Sequence, residues 1–102
     1  MLEVRPNCEC CDKDLPPKST QAYICSYECT YCEACAKDVL SNVCLNCGGG
    51  LEPRPIRPET ERGEGLSLAK QPASTKRVLT PKSRDEIVLF CATVKDVPPD
   101  QR

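Results

Sequence analysis

Nine of the ten cysteines in this 102-residue chain fall between Cys8 and Cys47. They form three C-x-x-C pairs, Cys8/Cys11, Cys32/Cys35 and Cys44/Cys47, and one wider pair, Cys25/Cys29, with Cys10 inside the first. Four spaced thiol pairs make eight ligands, which suits two tetrahedral metal sites. A block this short has too little apolar surface to offset its own chain entropy, and domains of its size rely on metals, disulfides or oligomerisation. Aromatic residues make up 4% of the chain and tryptophan is absent, so a staple is needed all the more.

An even cysteine count also admits a disulfide framework, but three features favour metal. The opening MLEVRPNCEC has no apolar run of the kind a secretory leader carries. No N-x-S/T sequon occurs. The C-x-x-C spacing itself fits a metal knuckle better than bridges between distant loops. No apolar stretch approaches the roughly 18 residues of a membrane span. The expected setting is therefore cytoplasmic and reducing, away from membranes.

Local patterns place the pairs. Leu2 and Val4 alternate with charges and predict a short edge strand, limited by Pro6. Leu15 is the apolar anchor of the proline-stiffened loop that follows. Ala22–Cys25 predicts a strand, and a tight hairpin would bring Cys25 and Cys29 together. From Glu33 to Leu40 the pattern predicts a helix of two or three turns, with Asn42 as its stop. Gly48, directly after Cys47, is suited to a left-handed turn that aims backbone N–H groups at sulfur. The string starting at Cys8 echoes the string starting at Cys32, with Cys10 opposite Ala34. That alignment makes Cys10 the surplus thiol.

The ligand spacing is C-x2-C-x13-C-x3-C-x2-C-x2-C-x8-C-x2-C. Spacing alone permits sequential sites, joining pairs one and two and then three and four, or a cross-brace joining one with three and two with four. The pattern resembles the RING-type cross-brace, with cysteine where that family usually has histidine and with Tyr31 as the aromatic before the fifth ligand. That resemblance implies one site of Cys8, Cys11, Cys32 and Cys35, and a second of Cys25, Cys29, Cys44 and Cys47. The strings LEVRPNCECCDKDLPP, ICSYECTYCEACA, CLNCGG and RPIRP are also similar to a small bacterial cysteine-rich family, domain of unknown function 1272. This second resemblance implies a bacterial origin and no established activity. Together they imply a small metal-stabilised α+β fold over residues 1–58, a RING-like cross-brace zinc domain with a short β-hairpin and one short helix.

Composition shifts after Leu51. Prolines and then Glu59–Gly65 predict a disordered linker over 59–82, part of a mostly disordered C-terminal tail. Residues 83–97 form a short apolar helix or strand. Ser83-Arg-Asp-Glu86 matches a capping box, which favours the helix.

The chain contains no histidine, so every proposed ligand is a thiolate. Shells of four thiolates are closed and structural, whereas catalytic zinc keeps a position open for water. The expected cofactor is two zinc ions, with iron the lesser candidate, and the expected role is protein interaction without catalysis, with a partner of unknown identity. A redox- or metal-responsive sensor using Cys10 is the alternative. A nucleic-acid-binding finger is disfavoured by charge. Residues 1–58 hold six basic and eight acidic groups, and the thiolates add further negative charge. Ubiquitin-ligase activity is disfavoured too, because Glu9, Leu45 and Gly48 depart from the residues that RING ligases carry at those positions. Tyr23, Tyr27 and Tyr31 are expected to pack around the metals.

Overall fold

In the computed structural model, which describes residues 1–102, the chain turns back on itself between two cysteines. Strand β1 (Ala22–Ile24) pairs antiparallel with β2 (Thr30–Cys32), Tyr23 facing Tyr31. The turn is closed by the Cys25 N–H on the Cys29 carbonyl at 3.2 Å, and Glu28 takes a left-handed φ of 71° to make it. A third strand, β3 (Glu52–Pro53), adds to the other side of β1, giving the order β2-β1-β3. Pro53 has no N–H to donate and sits where an edge strand tolerates that loss.

After β2 the chain coils into one wide turn, Cys35–Val39, of π-helical hydrogen bonding, with the Leu40 N–H reaching the Cys35 carbonyl. The helix expected from Glu33 is therefore present but short and widened, α-helical at Glu33 and Ala34 and π-helical from Cys35. Ser41 and Asn42 both have positive φ and end it, which places the stop at the expected asparagine. The expected Leu2–Val4 strand does not form. Val4 is buried, and its carbonyl accepts from the Ser74 N–H at 2.9 Å. Ser74 and Arg57 hold this segment, not a sheet.

The disordered linker and tail expected beyond residue 58 are corrected by the structure. The Leu68 N–H bonds the Pro58 carbonyl, and the Gln71 N–H bonds Ser67, itself buried. Arg57 pins both halves, donating to the Gln71 and Leu2 carbonyls at 2.6 Å each. Residues 73–82 then run as an extended strap along the start of the chain. Helix α1 (Arg84–Val94) follows, with Ser83 Oγ accepting from the Glu86 N–H and Glu86 Oε1 accepting from the Ser83 N–H, both at 3.2 Å. This reciprocal cap satisfies two donors that a helix start otherwise leaves unpaired. Composition suggested disorder because apolar residues are sparse here. The order instead comes from main-chain hydrogen bonds and from two well-placed apolar side chains.

Those two are Ile87 and Cys91, which share one core with Leu15, Tyr31, Leu40, Val43, Leu45, Leu51 and the clustered cysteines. Phe90 and Val94 pack on its margin. Arg102 closes the tail, donating to the Asn42, Gly48 and Val97 carbonyls. No helix is long and apolar enough to cross a membrane.

Candidate metal centre

The fold interleaves the thiol pairs. The sulfurs of Cys8, Cys11, Cys32 and Cys35 all lie within 4.8 Å of one another, as do those of Cys25, Cys44 and Cys47. Pairs one and three therefore meet, and pair four meets pair two, in a cross-brace arrangement. The Cys11 and Cys32 sulfurs are 3.7 Å apart. Four thiolates at about 2.3 Å from a tetrahedral ion stand about 3.8 Å from one another, so this separation fits a metal shell. Cys29 lies outside the second three-sulfur group. Its sulfur accepts from Asn46 Nδ2 at 3.4 Å, and its thiol lies close to that of Cys25. Cys10 is half-buried and outside the first group, with its thiol beside that of Cys35.

Each group is formed by local turns. The Cys11 N–H points at Cys8 Sγ and the Cys35 N–H at Cys32 Sγ, both at 3.4 Å. In the other group the Tyr27 N–H points at Cys25 Sγ at 3.3 Å, and the Gly49 N–H at Cys47 Sγ at 3.4 Å. Such N–H···S contacts orient a thiolate and stabilise its charge. The first and last knuckles share one backbone. The Asp12 N–H returns to the Cys8 carbonyl and the Gly48 N–H to the Cys44 carbonyl, each at 2.8 Å. Both returning residues are left-handed, Asp12 at φ 67° and Gly48 at φ 77°. Glycine reaches that region freely. Asp12 is held there by hydrogen bonds from Asn7 and Arg77 to its carboxylate.

Burial governs the thiols. It pushes Cys8 and Cys25 up to about 11 and Cys29 up to about 12, and it raises Cys35 as well. Burial acts on Cys44 in the same direction, but hydrogen bonds from the Tyr31 hydroxyl and from the Cys47 and Asn46 backbones outweigh it and hold this thiol below its ordinary value. Burial, reinforced by Cys44, raises the Tyr31 phenol, so this group is a hydrogen-bond donor.

Several residues around the sulfurs have no signature in the sequence. Glu9 is buried, with Oε2 accepting from Arg5 Nη1 at 2.8 Å and from the Thr30 N–H at 2.7 Å. Asn46 reaches from Cys29 toward Glu9. Lys82 donates to the Leu45 carbonyl within the last knuckle and lies over the Phe90 ring. Of the three tyrosines expected to pack around the metals, Tyr31 is buried and Tyr23 half-buried, while Tyr27 is exposed.

Residues 1–57 match the family described as Protein of unknown function (DUF1272), and the chain belongs to it. An uncharacterized protein of Rhizobium meliloti (strain 1021) is 55% identical over 82 residues, covering 80% of this chain and 90% of that protein. That match is longer than the family segment, so it takes in part of the tail. No solved structure matches the chain.

Proposed function

We propose that this member of the unknown-function family is a structural zinc module that binds another protein and catalyses no reaction. One ion would be held by Cys8, Cys11, Cys32 and Cys35, and a second by Cys25, Cys29, Cys44 and Cys47. The observation that carries this reading is the interleaving of thiol pairs into two compact sulfur groups, each with backbone N–H groups aimed at sulfur. A full set of four thiolates closes a zinc shell and leaves no position for substrate or activated water. Each ion would supply on the order of 10 kcal/mol of folding free energy. Zinc is favoured over iron for a structural role because it brings no redox chemistry. Tyr27 and Leu89, both largely exposed, support a protein partner, since aromatic and large aliphatic side chains anchor interfaces.

Native mass spectrometry tests this reading. Two zinc ions per chain are expected, and a metal-free chain with intact disulfides would overturn it. Cys32→Ser and Cys25→Ser are expected to weaken different ions. A second reading, a redox- or metal-responsive sensor, draws on Cys10, whose thiol lies beside Cys35 without belonging to either group. Loss of metal to peroxide that disappears in Cys10→Ser would favour it.

A further inference from the structure

The strap of residues 73–82 is held in a different way from α1. The helix docks by burying Ile87 and Cys91, whereas Lys76, Arg77 and Leu79 of the strap all face solvent. What holds the strap is its main chain. The N–H groups of Ser74 and Thr80 donate to the Val4 and Glu9 carbonyls at 2.9 and 2.8 Å. Between them the fully buried side-chain amide of Asn7 reads both sides of one residue, donating to the Val78 carbonyl at 2.8 Å and accepting from the Val78 N–H at 3.2 Å. Lys82, at the strap's end, donates to the Leu45 carbonyl, while at the start of the chain one strap side chain is recognised by charge. Arg77 places Nη1 on Asp14 Oδ1 at 2.7 Å, and Nη2 on the Asp12 carboxylate and carbonyl at 2.9 and 2.8 Å.

Bonds to the main chain accept almost any extended segment, and a carboxylate pair selects a basic residue. We infer that the cradle of Val4, Asn7, Glu9, Asp12 and Asp14 is a binding site for an extended, arginine-bearing segment of a partner protein, and that residues 73–82 occupy it as an intramolecular stand-in. The inference rests on the protein-binding reading above and names the chemistry of that partner. Ile87 and Cys91, through which the tail joins the core, lie outside the strap. Ser67 and Gln71 fix the chain before it, and the capped start of α1 fixes the chain after it. A tethered segment competes at high effective concentration, so an outside peptide meets a filled site until the strap is weakened.

The test uses the full chain and a fluorescent peptide of residues 73–82, read by anisotropy. Arg77→Glu combined with Thr80→Pro sets the strap's charge against Asp12 and Asp14 and removes the donor to Glu9. This variant is expected to bind the peptide about tenfold or more tighter than the wild type, because its tethered competitor is weakened. A peptide with glutamate in place of Arg77 is expected to bind about tenfold more weakly than the native peptide, as loss of the paired charge dictates. Equal affinity of both chains, or of both peptides, overturns the inference. Metal content of the same samples separates the two readings. Two ions with no peptide binding defeats the cradle alone, and peptide binding by a metal-free chain defeats the zinc reading alone. If the variant does not fold, hydrogen exchange in the wild type decides. The Val78 and Thr80 amides are expected to exchange about a hundredfold faster than those of Leu40 and Gly48, as a locally opening segment does. Equal protection overturns the inference.

Discussion

The Tyr31 hydroxyl stands 3.3 Å from the Cys44 sulfur, and both side chains are fully buried. Tyr31 sits in β2 between Thr30 and Cys32. One three-residue strand thus supplies a thiol to the first sulfur group and a hydrogen-bond donor to the second. Tyr31→Phe keeps the ring and removes the donor. The expected result is an affinity for the second ion about 10- to 100-fold weaker, the usual cost of losing an outer partner of a metal ligand. Staged release to a chelator measures it. Unchanged affinity for both ions would contradict the role given to this hydroxyl.

Acid is expected to strip the metal. Without metal, burial pushes Cys25 up to about 11 and Cys29 up to about 12, so both thiols hold protons at neutral pH. Binding an ion must expel those protons, and the bound sulfurs stay ionised far below their ordinary value. The stability from metal is therefore present at neutral pH and is lost as pH falls. In a metal-free fold the raised values act in the opposite direction. Their contribution is complete below the ordinary thiol value of 9.0 and disappears as pH rises through about 11 to 12. A zinc-indicator dye and circular dichroism, followed from about pH 7 to about pH 4, should report release and loss of fold together. Full retention of metal at the acid end would contradict the thiolate shell.

Ile87→Ala tests whether the tail belongs to the core. Ile87 is 2% exposed and packs with Val43, Leu45 and the cysteines. The expected loss is about 2 to 5 kcal/mol, from lost transfer energy and the cavity left behind. Urea denaturation of the metal-loaded chain measures it. A change below about 0.5 kcal/mol, as for an exposed surface site, would show that α1 is a passenger.

Glu9 separates charge from hydrogen bonding. Glu9→Ala leaves Arg5 without its 2.8 Å partner and the Thr30 N–H without its acceptor. Arg5 keeps Glu3, so the expected cost is that of the unpaired buried Thr30 N–H and the lost charged bond, about 1 to 3 kcal/mol. Glu9→Gln keeps an oxygen for Thr30 and is expected to fall between alanine and the wild type. Equal stability of all three would refute the structural role of this carboxylate.

What the sequence revealed is local. The thiol pairs, the Cys25–Cys29 hairpin, the left-handed Gly48 and the Ser83–Glu86 cap each depend on residues within a few positions, and each is present in the structure. The strap was not legible because its strongest recognition joins Asn7 to Val78, 71 positions away, through polar atoms that leave no apolar period. Asn7, Glu9 and Arg54 are buried polar residues. Their burial follows from carbonyls and N–H groups found only after folding. The left-handed turn at Asp12 is hidden in the sequence for a similar reason. An aspartate can take a left-handed turn, but only the carboxylate's partners, Asn7 and Arg77, mark this one. The helix expected from Glu33 forms, but its change to π-helical bonding over Cys35–Val39 leaves no mark in the apolar pattern.

The interleaved sulfurs also set an order of events during synthesis. A growing chain gains Cys8 and Cys11 early, yet their group is incomplete until Cys35 has left the ribosome. By then Cys25 has already emerged, and it waits for Cys44 and Cys47. The first group has all its cysteines once Cys35 has emerged and the second once Cys47 has, so the two follow in quick succession. The strap and α1 emerge last, after every cysteine of both groups.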